Sequence, residues 1–173
     1  MSMKKLLLVF LMILLTAGCT KSAKEIVASD FLSLEEAGKY LEYLPVEEVN
    51  NTRLCKSVTY KNEKIGQGDT VKVDVYPFNG KYDKSEIKAQ FEAEKKRNDD
   101  LARTVAVDIE GVDAFIAIPS CHMYKNGYYI VITAGSGAGE HQVSLLKNYA
   151  ETVSKNLIKI AGEEETETEK TEE

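Results

Sequence analysis

The chain has 173 residues, 43% of them hydrophobic and 29% charged, which is room for one globular domain with a real core and not for two. The net charge is −6, but the acidity is concentrated in residues 163–173 (EEETETEKTEE), so the rest of the chain is close to neutral. No basic stripe runs through it, which excludes the electrostatic footprint of nucleic-acid binding.

At the N-terminus Lys4 and Lys5 precede an unbroken apolar run over 6–15 (LLLVFLMILL), followed by Thr16, Ala17, Gly18 and Cys19. Ten residues at roughly 1.5 Å each reach half of a membrane core of ~30 Å, so the run reads as a signal peptide and not as a span. Thr16-Ala17-Gly18-Cys19 resembles the lipobox of bacterial membrane lipoproteins, with Thr16 where leucine is usual and Leu15 one position earlier. The resemblance implies a signal peptide over 1–18, export, and lipid (palmitate among the acyl chains) on Cys19 as the new N-terminus. Two or more chains anchor stably. The domain would then sit in the periplasm or outside the cell, tethered to the cell membrane or outer membrane by residues 19–30. Thr20, where aspartate would mark inner-membrane retention, resembles outer-membrane sorting if the cell has two membranes.

Ser33 and Glu36 have capping-box spacing. Leu34, Ala37, Tyr40, Leu41 and Leu44 follow at helical intervals until Pro45. Residues 53–60 (RLCKSVTY) read as a strand, Gly66-Gln67-Gly68-Asp69 as a turn, and Val71, Val73 and Val75 as the inward side of a partner strand. Asp83 with Glu86 opens a second helix whose apolar stripe is narrow, through Ile87 and Phe91. Residues 103–109 are a plausible strand. Gly111 turns the chain into an apolar strand over 114–118, and Pro119 suggests a bulge or an edge. Asn126-Gly127 between 120–125 and 128–134 is a hairpin signal, because both residues tolerate positive φ. The run YYIVITA lacks alternation, which predicts cover on both faces. Val143, Leu146, Ala150, Val153, Leu157 and Ile160 repeat at three and four residues and predict a final helix from near Glu140.

The expected fold class is α+β, a mainly antiparallel sheet of about six strands with helices on both faces, over residues 31–161. Residues 162–173 lack apolar side chains and are expected to be a disordered acidic tail. The element order over 31–160 resembles the small secreted α/β/α sandwiches called PsbP-like, which recur in bacterial surface lipoproteins. That resemblance implies a binding or assembly-support module and carries over no functional residues.

Few residues suggest chemistry. Export favours a disulfide between Cys55 and Cys121, the alternative being two buried free thiols. Cys121-His122 are neighbours on a strand and point to opposite faces, so they do not readily share a metal. His141 is the other histidine, and a Cys121–His141 thiol–imidazole pair is the remaining combination. Gly135-Ser136-Gly137-Ala138-Gly139 joins a strand to a helix, where backbone N–H groups can hold an anion. Glu140 breaks the dinucleotide pattern, and no Walker lysine follows. Tyr124, Tyr128 and Tyr129 surround the hairpin as cross-strand packing or as an interface.

No catalytic set, metal site or cofactor is expected. The leading expectation is a non-catalytic cell-envelope lipoprotein that binds an envelope protein or envelope component, with the membrane as its lipid-mediated partner and no nucleic acid. One alternative is a small-ligand- or anion-binding lipoprotein using Gly135, Ser136, Gly137 and Gly139. Another is a minor hydrolase or thiol enzyme using Ser136 or Cys121.

Overall fold

A computed structural model describes residues 26–41, 43–52, 55–62, 70–76, 83–135 and 139–169, the last seven of these in backbone only. The expected signal peptide over 1–18, Cys19, Arg53, Leu54, the expected turn at Gly66–Asp69, Ser136 and Gly137 lie outside the described residues.

After a single 3-10 turn at Ala28–Asp30 come α1 (Leu34–Gly38), β1 (Val46–Val49), β2 (Lys56–Lys61) and β3 (Val71–Tyr76). Then follow α2 (Lys84–Asp100), β4 (Val105–Ala106), β5 (Asp113–Ala117), β6 (Ser120–Lys125), β7 (Tyr128–Ala134) and α3 (Glu140–Glu169). One antiparallel sheet holds all seven strands in the order β1-β2-β3-β7-β6-β5-β4. Two meanders, β1–β3 and β4–β7, therefore lie side by side and meet where β3 pairs with β7. The fold is α+β, as the hydrophobic patterning predicts.

The alternation of β3 and the apolar run of β7 have one cause. Val71, Val73 and Val75 stand beside Ala134, Ile132 and Ile130 in register, and all six are at most 1% exposed. This face takes α3, whose Leu146, Tyr149, Ala150, Val153 and Leu157 are sealed against it. The N-terminal turn closes the same core. Phe31 and Leu32 are fully buried, Tyr60 Oη donates to the Leu32 carbonyl, and Asn156 Nδ2 donates to that of Phe31 at 3.1 Å. The opposite face takes α2 through Ile87 and Phe91, against Phe115, Ala117 and Tyr129.

The hairpin at Asn126-Gly127 forms as its sequence requires, with φ of 47° and 91° in the left-handed region that matches strand twist. A side chain at 127 would also meet Lys84 Cγ at 2.7 Å. Asp83 caps α2 by accepting from Ser85 N, and Glu86 returns a bond to Asp83 N at 3.1 Å.

Several elements differ from expectation. α1 ends at Gly38 instead of reaching Leu44. Gly38 packs near the Pro45 ring, and the chain folds back so that Leu41 is buried while Leu44 is 94% exposed. β1 is an addition to the expected six strands. All four of its residues are exposed, so an edge strand paired only with β2 shows no alternation to read. The expected strand over 103–109 shrinks to Val105–Ala106, with an isolated bridge from Ile109 to Val112. Pro119 lies in the tight turn between paired Ala117 and Ser120, not in a bulge. The expected tether is shorter, because Ile26 and Ala28 pack into the core. α3 continues in backbone to Glu169, where a disordered tail was expected from 162. Glutamate is a good helix former, and a preformed helix removes the cost of nucleation. Among the described residues no helix is long and apolar enough to cross a membrane.

Leu146 and Leu44 occupy equivalent apolar positions in the sequence pattern but opposite environments in the fold. Leu146→Ala is expected to cost about 2–5 kcal/mol in urea denaturation. Leu44→Ala is expected to change stability by less than about 0.5 kcal/mol.

Candidate functional site

α2 is charged over most of its surface, and its apolar stripe packs over β5, β6 and β7. The β2–β3 half of the same sheet face is not roofed by it. At this boundary lies an open groove of about 410 Å³. Tyr76 and Tyr129 form its floor, and Gln90, Ala93, Glu94 and Arg97 of α2 form its wall.

The floor is built by register. Tyr76 is opposite Tyr129 on neighbouring strands, and their rings stack with centroids 5.2 Å apart at 23°. Phe91 meets the Tyr129 ring edge-on at 5.7 Å. Beneath them, the Tyr129 hydroxyl and His122 Nδ1 share a 2.7 Å hydrogen bond. The imidazole lies flat on Phe115, 4.6 Å between centroids. Burial holds the His122 imidazole down to about pH 4 and pushes the Tyr129 phenol upward, with Glu94 adding to the latter. Both are thus neutral near pH 7, and the pair orients the floor without moving a proton.

Two carboxylates act on the Tyr76 phenol, Glu94 among the lining residues and the buried Asp74 outside them. On the wall, Glu94 Oε1 accepts from Arg97 at 2.5 Å and from Asn98 Nδ2 at 3.0 Å. On β3, Asp74 Oδ1 accepts from Ser57 Oγ, pairs with Lys72 Nζ at 2.8 Å and lies 3.6 Å from Cys55 Sγ. Asp74 and Tyr76 are two residues apart on one strand, so both side chains rise from the same face. Burial raises the Tyr76 phenol, and the nearby Cys55, Asp74 and Glu94 raise it further.

The expected disulfide is not formed. Cys55 and Cys121 are both free. Cys55 bonds to Ser57 Oγ at 3.2 Å on the groove face, whereas Cys121 is paired with Ile132 and points into the α3 core. The sheet itself separates them. Burial raises the Cys55 thiol, with the negative charge of Asp74 adding to it, and pushes the Cys121 thiol up to about 12. Neither is an activated nucleophile. His141 is exposed while Cys121 is 0% exposed, so the two do not make a thiol–imidazole pair. His122 faces away from Cys121, as adjacent strand residues must. Among the described residues no three His, Cys, Asp or Glu side chains cluster as a metal set.

Gly135 and Gly139 both adopt positive φ, 69° and 99°. Gly135 N donates to Thr70 O at 2.9 Å, and a side chain there would strike Gln142 Oε1 at 2.5 Å. Of the hairpin tyrosines, Tyr128 packs on Phe31 at 5.6 Å and Tyr124 on Phe91 at 5.7 Å. Those two are packing residues, and Tyr129 is also the groove floor. A second groove of about 500 Å³ lies near Lys88, Asp113 and Lys125. Its Lys125 ammonium is engaged by the Gly111 carbonyl at 2.9 Å, and Tyr124 is committed to Phe91. Sequence reading missed Tyr76, Glu94 and Arg97, because only the β3–β7 register and the path of α2 bring them together. Comparison with protein-family models, with curated proteins and with solved structures gives no match.

Apart from Cys19, native protein is expected to offer Cys55 to a thiol reagent, slowly because its thiol pKa is raised, and Cys121 only after denaturation. A bridge on non-reducing peptide mapping would contradict this. The folded state depresses the His122 pKa to about 4 from 6.5. Between those values the unfolded chain binds the extra proton, so stability rises with pH. It is lost as pH falls from about 6.5 towards 4, by up to about 3 kcal/mol. Urea titrations across this window are expected to show that slope, and His122→Phe to flatten it.

Proposed function

We propose that this chain is a cell-envelope lipoprotein whose domain is a non-catalytic binding or assembly-support module of the PsbP-like kind. Residues 1–18 serve as the signal peptide and Cys19 carries the lipid. Ile26 already packs against the core, so the tether from Cys19 spans at most ~25 Å of extended chain. The domain therefore works close to the membrane surface, on an envelope protein or envelope component.

The observation that carries the binding half is the groove beside α2. It combines a stacked aromatic floor with convergent polar side chains, and its volume lies in the range of ligand sites. A photoreactive p-benzoylphenylalanine in place of Gln90 is expected to yield a specific adduct in intact cells, while the same residue in place of Lys159 on α3 yields none. Adducts at neither position would overturn the groove reading. Cys19→Ala is expected to abolish lipid labelling and leave unprocessed precursor. Normal processing of that variant would overturn the lipoprotein reading.

A second reading places an anion or small ligand at the start of α3, beside Gly135 and Gly139. One observation favours it: Gln142 is 2% exposed and its Nε2 donor has no hydrogen-bond partner among the described residues. Phosphate or sulfate at about 100 times its dissociation constant would then stabilise the protein by roughly 2.7 kcal/mol. The stabilisation would be lost in Gln142→Leu, and a thermal shift that survives that substitution would exclude this site.

A further inference from the structure

The groove's polar groups carry more information than its shape. Glu94 is held by Arg97 and Asn98 through Oε1 alone. Its carboxylate is thus fixed in orientation by one oxygen, and among the described residues the other oxygen remains to accept. It is also matched by a cation, Arg97. The charge of the lining residues balances, so an ionic ligand of either sign would have to displace this ion pair.

The ligand chemistry that fits is neutral and carries donors and acceptors together. Hydroxyl groups donate to the open Glu94 oxygen and accept from Arg97 and the Gln90 amide. Across from this wall lies the Tyr76 ring, stacked with Tyr129. An aromatic face takes the C–H side of a sugar ring, which is apolar, while the hydroxyl rim turns to the walls. The groove is open to solvent, so it admits one ring of a longer chain as well as a single sugar.

Resting on the groove reading above, we infer that the ligand is a saccharide, a neutral polyhydroxylated glycan stacked on Tyr76 and held at its rim by Gln90, Glu94 and Arg97. The experiment uses the full lipidated chain in phospholipid nanodiscs, titrated calorimetrically with chitohexaose, cellohexaose and maltohexaose. At least one of these glycans is expected to bind saturably. Tyr76→Ala and Glu94→Gln should each weaken that binding by about tenfold or more, an effect of the size seen for central contact residues. Tyr76→Phe keeps the ring and should stay within about threefold of the parent, well under the tenfold step. It guards against loss through misfolding. Lys159→Ala should have no effect.

Binding of none of the three glycans, or binding that Tyr76→Ala leaves unchanged, overturns the inference. Saturable binding of spermidine in their place also overturns it, because the groove would then select cations. The Gln90 photo-adduct separates the two levels. An adduct removed by glycosidases supports the saccharide. One removed only by proteases overturns the saccharide and leaves the groove standing. No adduct at all overturns both.

Discussion

β3 and β7 run side by side over six residue pairs, from Val71 beside Ala134 to Tyr76 beside Tyr129. Two meanders become one sheet only through this pairing. Because side chains alternate along a strand, the same register also sorts the residues. Val73 and Ile132 go to the α3 face, while Tyr76 and Tyr129 go to the α2 face. A slip of one residue would exchange the two sets and expose the core valines. The core and the groove are therefore consequences of a single alignment.

The two faces then differ because the two helices differ. α3 presents a broad apolar surface and seals its side of the sheet, down to the Cys121 thiol. α2 packs through a narrow stripe at Ile87 and Phe91 and is charged over most of the rest. Ser57, Lys72 and Asp74 are polar neighbours on β2 and β3 of the same sheet face, Ser57 and Asp74 buried and Lys72 exposed. Phe91 meets Tyr129 edge-on and Tyr129 stacks on Tyr76, and the His122–Tyr129 hydrogen bond ties these rings to the sheet. The buried neutral imidazole links the stability of the fold to pH.

Much of the scaffold was legible in the chain. The Asp83–Glu86 and Ser33–Glu36 caps, the Asn126-Gly127 hairpin and the stripe from Val143 to Ile160 are local signals, each set by contacts within a few residues. β1 was not legible, because an exposed edge strand has no buried side to impose alternation. α1 read too long, because Tyr40, Leu41 and Leu44 keep helical spacing although Gly38 and the return past Pro45 break the helix. The disulfide expectation failed for a related reason. Exported cysteines on strands suggest a bridge, yet the face each thiol occupies depends on which strands become neighbours.

By itself the sequence determined the α+β class, the helix caps, the tight turns and which residues must be buried, since these follow from local propensity and periodicity. It also contains the lipobox-like segment ending at Cys19, on which the proposed membrane address rests. Only the tertiary structure decided that Tyr76, Tyr129, Glu94 and Arg97 share one groove, and that Cys55 and Cys121 are divided by the sheet. Those residues come from distant strands and from a helix between them. Their meeting is fixed by the β3–β7 register and by the narrowness of the α2 stripe, which no local pattern encodes.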